Sequence, residues 1–286
     1  MTWEPFDWGA YDSGWYRPSI AAGDGIIGIA AYYGNLLWSF DDGATWVNRS
    51  PAMNYWIGIG FGNHTFSATA GNKRGCIVPN ADTITEILWP SGTYSGGINT
   101  SFNQPGKISY NNGYFYCFDA YNEVKGYAYS SDGLSWHQAI FPKSMYPSGS
   151  GHHKVAFGPN GEMYVADTAS NSIWVNPTPT QSSTWSALSP TGIDQYQSTI
   201  SAGDLSIVVP KENSSYYLSY GGAIYTAYKF PLNMGSAGVV YMDDEFKTIL
   251  YNYTTQKTFY STSKNGVTWT LSEFPYSTST PCQSVI

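Results

Sequence analysis

Residues 39–46 read Ser39-Phe40-Asp41-Asp42-Gly43-Ala44-Thr45-Trp46, and the reading of this octapeptide decides the fold. Acid, glycine and tryptophan at this spacing describe a self-contained hairpin. A side-chain oxygen accepts backbone N–H groups of its own turn, the glycine takes a positive φ, and the indole folds back over the loop. Two shorter copies occur further along: S-S-D-G-L-S-W over 130–136 and S-K-N-G-V-T-W over 263–269. A fourth, Q-S-S-T-W ending at Trp185, keeps only the residues beyond the turn, and Trp89 and Tyr228 keep only the aromatic. Ser39, Asp41, Asp42, Gly43 and Trp46 are therefore read as fasteners of a hairpin, as are Ser130, Asp132, Gly133 and Trp136, and Ser263, Asn265, Gly266 and Trp269.

Each copy sits inside a longer repeat. An aromatic residue followed by proline recurs as Trp3 with Pro5, Trp46 with Pro51, Trp89 with Pro90, Trp136 with Pro142, Trp185 with Pro190, Tyr228 with Pro231 and Trp269 with Pro275. The intervals run from about 41 to about 49 residues, the period of a four-stranded propeller blade. The stretch 107–141 parses as KISY, NNG, YFYCF, a loop, YAYSS, DG, LSWHQAIF; 19–48 and 239–274 parse the same way, with ATWVN and VTWTLSEF as their last strands and KTILYNY as a second strand. The other intervals fit more loosely. An amphipathic four-stranded sheet cannot bury both faces alone, so successive sheets stack around an axis. The expectation is one all-β domain over 1–286, a six-bladed β-propeller of four-stranded antiparallel blades, with seven or five blades as alternatives.

Composition agrees with strands and turns. Aromatic residues make up 17% of the chain and charged residues 12%, with 25 Tyr, 11 Trp and 30 Gly. These favour pleated surfaces joined by tight turns. The net charge is −7 and the 13 Lys and Arg form no stripe, which argues against nucleic acid, since phosphate neutralisation needs a basic footprint. The first 16 residues have neither a basic nor an apolar region of a secretory signal. The longest apolar run, near Ile26–Tyr33, is too short to span a bilayer. A soluble chain without membrane insertion is expected. Cys76, Cys117 and Cys282 form no C-x-x-C pair and leave their redox state open.

The octapeptide at 39–46 resembles a complete Asp box, S/T-x-D-x-G-x-T-W, the hairpin signature of sialidase-like (BNR-repeat) propellers. The resemblance implies that the box joins the third and fourth strands of a blade, on the side opposite an active site. Strand alternation then puts the second-to-third-strand loops and the crossings between blades on the other end. Candidate binding residues there are Arg49, Arg74, Asp119, Tyr121, Glu123, Tyr146, His152, Asp167, Asp194 and Tyr196. Sialidases use an arginine triad, a Tyr–Glu nucleophile pair and an Asp acid. Here W-Y-R-P-S-I around Arg17 lacks the Ile of the F/Y-R-I-P motif, and Arg49 and Arg74 fall in neighbouring blades, whereas the family's second and third arginines come from much later ones. No catalytic residue is assigned, and no enzyme activity is expected.

Other chemistry finds no motif. His152 and His153 are adjacent and would diverge on a strand, His64 and His137 are isolated, and Asp243-Asp244-Glu245 lacks the spacing of a calcium loop. No metal or cofactor is expected. Tyr-, Gly- and Ser-rich Asp-box propellers of this compactness resemble those of bacteriophage virion and tail components. The resemblance implies a structural or interaction protein of a phage tail, fiber or capsid-associated assembly, located in the virion, with other virion proteins as partners and a host-surface glycan as a further one. The alternatives are a secreted or surface glycan-binding lectin and a sialidase-like glycoside hydrolase.

Overall fold

A computed structural model describes residues 19–31, 35–49, 56–70, 74–79, 85–88, 105–119, 126–142, 154–158, 160–167, 172–181, 183–188, 201–203, 206–211, 215–220, 226–231 and 234–274. These form strands and turns, and among them no helix is long and apolar enough to cross a membrane. The strands make six four-stranded sheets, each in simple sequential order and antiparallel throughout. Two compact units divide them, one ending at Ser150 and the other beginning, for the described residues, after Gly151.

The first unit holds three sheets. These are β1 (Ser19–Gly23), β2 (Ile26–Ala31), β3 (Asn35–Ser39) and β4 (Val47–Asn48); β5 (Trp56–Gly62), β6 (Thr65–Ala70), β7 (Arg74–Pro79) and β8 (Thr85–Leu88); and β9 (Pro105–Asn111), β10 (Tyr114–Asp119), β11 (Gly126–Ser130) and β12 (His137–Ile140). The first two sheets share a core of Ala30, Leu36, Trp38, Trp56, Ile59, Phe66 and Ala68, with the Trp38 and Phe66 rings edge to face at 5.0 Å. First strands carry the stacking between sheets. A Cβ on Gly62 would stand 2.0 Å from Tyr110 Cγ, and one on Gly60 would stand 2.6 Å from Ile108 Cγ2. The repeated glycine of W-I-G-I-G-F-G is thus where side chains of the next sheet's first strand press onto bare backbone.

The second unit holds the other three. These are β13 (Lys154–Phe157), β14 (Met163–Asp167), β15 (Ser172–Asn176) and β16 (Ser186–Leu188); β17 (Ser201–Gly203), β18 (Ser206–Lys211), β19 (Ser215–Tyr220) and β20 (Thr226–Lys229); and β21 (Gly235–Met242), β22 (Glu245–Asn252), β23 (Lys257–Ser263) and β24 (Thr270–Glu273). Tyr216, Leu218, Phe230, Met234, Val239, Phe246, Leu250 and Trp269 make one core across its last two sheets.

In four of the sheets the first-to-second-strand connection is a two-residue turn with both central residues at positive φ: Asp24-Gly25 (51° and 74°), Asn63-His64 (47° and 54°), Asn112-Gly113 (46° and 83°) and Asp243-Asp244 (55° and 59°). That backbone is the type I′ turn, whose twist matches the flanking strands. Three sequence expectations shift here. Fourth strands begin only after the tryptophan, at Val47, His137 and Thr270, because the residues before it give their amides to the turn. Glu245 opens β22 rather than belonging to the acidic turn, and β22 ends at Asn252, leaving Tyr253 in the loop to β23.

Candidate functional site

Each sheet has two ends, and the described residues differ between them. One end carries the first-to-second and third-to-fourth turns. In the first sheet Asp41 Oδ1 accepts the Thr45 amide and the Ser39 hydroxyl, both at 2.8 Å, and Oδ2 accepts Thr45 Oγ1 at 2.6 Å. The buried Ser39 Oγ accepts the Gly43 amide at 2.8 Å. Gly43 takes φ 91°, and the Trp46 indole donates to the Gly43 carbonyl at 3.0 Å. In the third sheet Asp132 Oδ1 accepts the amides of Leu134 and Ser135 at 2.8 and 2.7 Å and the Ser130 hydroxyl at 2.9 Å, and Trp136 donates to the Gly133 carbonyl at 2.7 Å.

In the sixth sheet an amide replaces the carboxylate. Asn265 Oδ1 accepts the amides of Val267 and Thr268 at 2.9 and 2.8 Å and the Ser263 hydroxyl at 3.2 Å. The same set of donors is satisfied without charge, so the turn needs an oxygen acceptor and not an anion. The hydroxyl of Thr45 and the neighbouring amides hold the Asp41 carboxyl below its ordinary range. At Asp132 burial pushes upward, and the amides of Ser135 and Leu134 with the Ser130 hydroxyl outweigh it, so its carboxyl is also lowered. These oxygens are engaged within their own turns.

The fourth sheet solves the same problem with a residue that the sequence pattern does not flag. Asn176, fully buried at the end of β15, accepts the Thr178 amide at 2.8 Å and the Thr184 hydroxyl on Oδ1, and donates from Nδ2 to the Gln181 carbonyl at 2.9 Å. It sits where Ser39 sits in the first sheet and does the work of serine and aspartate together. The visible signal was only Thr184-Trp185, which matches Thr45-Trp46.

Two neighbouring turns in the first unit are tied by His64 Nδ1 and Asp24 Oδ2 at 2.9 Å. The Asp243-Asp244 turn is held by Lys247, whose Nζ lies 2.7 Å from Asp243 and 3.8 Å from Glu245 at the start of β22. Among the described residues no group of three or more His, Cys, Asp or Glu could hold a metal ion. Cys117 is a buried thiol.

The opposite end carries the second-to-third-strand loops. Asp119 and Asp167 are the last residues of β10 and β14, and Arg74 is the first of β7, so the backbone puts all three at that end of their own sheets. Arg49 differs from expectation: its guanidinium lies over the ring of Phe40, 5.1 Å from the centroid, on the third-to-fourth-strand turn. Arg17, Tyr121, Glu123, Tyr146, His152, His153, Asp194 and Tyr196 lie outside the described residues. The loop between β22 and β23 is described throughout, and it presents Tyr253, 62% exposed, which strand reading had hidden.

No protein-family model matches the chain, and no curated protein matches it. Solved structures do. The chain is similar to YCF48 from Cyanidioschyzon merolae at 11% identity, covering 89% of this chain and 85% of that one, with a TM-score of 0.61. A structure of YCF48 bound to D1 peptide matches at 13% identity over 89% of this chain and 80% of that one with a TM-score of 0.61. Virginiamycin B lyase from Staphylococcus aureus matches at 12% identity over 91% and 84% with a TM-score of 0.62. At such identities the likeness shows the fold, and the fold is a β-propeller. It also corrects one expectation. The sequence reading expected no enzyme activity, yet a structural neighbour is a lyase, so this architecture gives no ground for excluding catalysis.

Proposed function

We propose that this chain is a single Asp-box propeller of six blades over 1–286, and that it works as an interaction module of a virion, in a tail, fiber or capsid-associated position. Other virion proteins and a host-surface glycan are its partners. The contact face is the end carrying the second-to-third-strand loops, with Arg74, Asp119, Tyr121, Glu123, Tyr146, His152, Asp167, Asp194 and Tyr196 as its candidate residues.

One observation carries this reading. At the other end, the polar groups of Asp41, Asp132, Asn265 and Asn176 are consumed by their own turns. Turns closed on themselves at one end leave recognition to the other, where the crossings 89–104 and 189–200 between successive sheets are the long connections beside the second-to-third-strand loops. The structure of YCF48 with a peptide supports the same use of the fold in another protein. Arg49, stacked on Phe40, is not among the proposed contacts.

The test is to raise antibodies against the purified chain and follow it through a density gradient of particles from the producing culture. Co-sedimentation, with gold label on the particle, is the expected result. A chain confined to the particle-free fractions overturns the reading.

A further inference from the structure

Tyr253 is the most exposed of the large apolar side chains in the described residues, at 62%. It is nevertheless held in place. Its ring meets Tyr251 edge to face, with centroids 5.1 Å apart and planes at 81°, and Tyr251 is itself buried. Its phenol end rests on bare backbone: a Cβ added to Gly235 would stand 2.7 Å from Tyr253 Oη and 2.8 Å from its Cε2. The loop beneath is fixed as well, since Asn252 Oδ1 accepts the amides of Thr254 and Thr255 at 2.9 and 3.0 Å, and Gln256 takes φ 56°.

Around this ring lie exposed polar side chains, Thr254, Thr255 and Gln256. The adjacent charges cancel, with Lys257 Nζ 2.7 Å from Glu273 Oε1. A rigid aromatic face with hydroxyl and amide groups at its rim suits a ligand that is apolar on one side and hydroxylated at its edge. Tyrosine supplies that area at small entropic cost, and fixing it beforehand removes an ordering cost from binding. A pyranose ring has this form, with C–H groups on one face and hydroxyls around the rim. The neutral local charge gives no preference for an acidic sugar.

We propose that Tyr253 is the stacking platform of a subsite for neutral pyranosides, at the loop joining β22 and β23. This rests on the glycan part of the proposed function and names the sugar class and the residue. Its weight comes from the ring being both exposed and organised: the glycine seat and the fixed turn hold its open face in place before any ligand arrives.

The experiment titrates methyl β-glucoside, methyl β-galactoside and methyl β-N-acetylglucosaminide into the chain. Saturation transfer to the sugar and the Tyr253 ring shifts are read by NMR, with a sialoside for comparison. Saturation of the C–H face is expected for at least one neutral probe, without preference for the sialoside. Tyr253→Ala weakens binding about tenfold or more, whereas Tyr253→Phe and Tyr253→Trp keep it within about threefold, since the ring face and not the hydroxyl makes the contact. Tyr253→Phe and Tyr253→Trp keep the ring on Tyr251 and Gly235, and the unfolding midpoint measured for every variant, with Tyr253→Ala expected to stay folded at the assay temperature, separates binding from folding. No transfer from any neutral probe, or Tyr253→Ala binding like the parent, overturns the inference. A chain found on particles that binds no pyranoside sinks this subsite and leaves the interaction reading standing; a chain absent from particles that still binds sugar does the reverse.

Discussion

The Trp269 indole donates to the Tyr216 hydroxyl at 2.9 Å, and that hydroxyl donates to the Gly266 carbonyl at 2.6 Å. In the first and third sheets the indole reaches its own glycine carbonyl directly. In the sixth, a hydroxyl from β19 of the preceding sheet is inserted into the same link. The turn lock thereby becomes a tie between neighbouring sheets, and the Tyr216 ring packs at 5.8 Å from Trp269 and 4.5 Å from Phe230.

Removing that hydroxyl strands two buried groups. Tyr216→Phe keeps the ring and its packing but leaves the Trp269 N–H and the Gly266 carbonyl without this partner. An unsatisfied buried group costs roughly 1–3 kcal/mol, so a lower urea midpoint with an unchanged denaturant slope is expected. A midpoint equal to the parent would show that the two groups bond directly when the hydroxyl is gone.

Asn176 gives a sharper test, because sequence comparison with the other turns would suggest aspartate as a harmless replacement. Asn176→Asp removes the donor to Gln181 and sets a buried carboxylate against that carbonyl. Asn176→Ala loses every bond at once and should cost about 2–3 kcal/mol. Both are expected to lower stability, measured by denaturant unfolding; an aspartate variant as stable as the parent would refute the role of Nδ2.

Acid should loosen two boxes and spare the third. The carboxyls of Asp41 and Asp132 are lowered in the fold. Their contribution is therefore present above the unfolded aspartate value of about 3.9 and is lost as pH falls through the lower folded values. Asn265 does not titrate. The double variant Asp41→Asn, Asp132→Asn should show a shallower fall of thermal midpoint below about pH 4 than the parent. Parallel acid limbs would contradict this.

Alkali probes a different cluster. Burial, then the neighbouring phenols of Tyr114 and Tyr129, push Tyr116 up to about 12, and burial pushes Tyr127 up as well. Their neutral forms are favoured in the fold, so this stability is complete below the ordinary phenol value of about 10 and is lost as pH rises past it. Ultraviolet titration should show late-ionising tyrosines that become ordinary in denaturant. A single transition at the ordinary value would count against the packing.

The close approach between β5 and β9 can be tested by overfilling it. Gly62→Ala drives a methyl into Tyr110 and should cost about 1–3 kcal/mol. Adding Tyr110→Ala should recover part of that, giving a negative coupling in the double-mutant cycle. Additive losses would show that the two residues do not meet.

The hairpin locks were legible because their chemistry is local: Ser39, Asp41, Gly43 and Trp46 lie within eight residues, and every bond they make stays there. The strand starts after Trp46, Trp136 and Trp269 were misjudged for the same reason, since alternation shows which residues could pair and not which amides a side chain has already taken. Asn176 was hidden because a longer turn moved its partners Thr178, Gln181 and Thr184 out of the expected spacing. Tyr216 was hidden because its partners Gly266 and Trp269 lie about fifty residues away, where no local pattern reaches. Tyr253 was hidden by its own strand propensity. Of the candidate contact residues, Asp119, Asp167 and Arg74 fall at the expected end of their sheets because strand order alone fixes which end a residue occupies. Arg49 departs in its side chain alone: its amide pairs with the Leu36 carbonyl near the start of β3, while its guanidinium reaches back over the ring of Phe40.

In the proposed reading the six sheets belong to one propeller that meets its partner through the end carrying the second-to-third-strand loops. Electron cryomicroscopy of the assembly carrying this chain tests it most directly. The expected map shows six four-stranded sheets in a single ring, partner density against the end bearing Asp119, Asp167 and Tyr253, and the turns of Asp41, Asp132 and Asn265 facing solvent. Partner density seated on those aspartate and asparagine turns, or sheets that do not close into one ring, would contradict it.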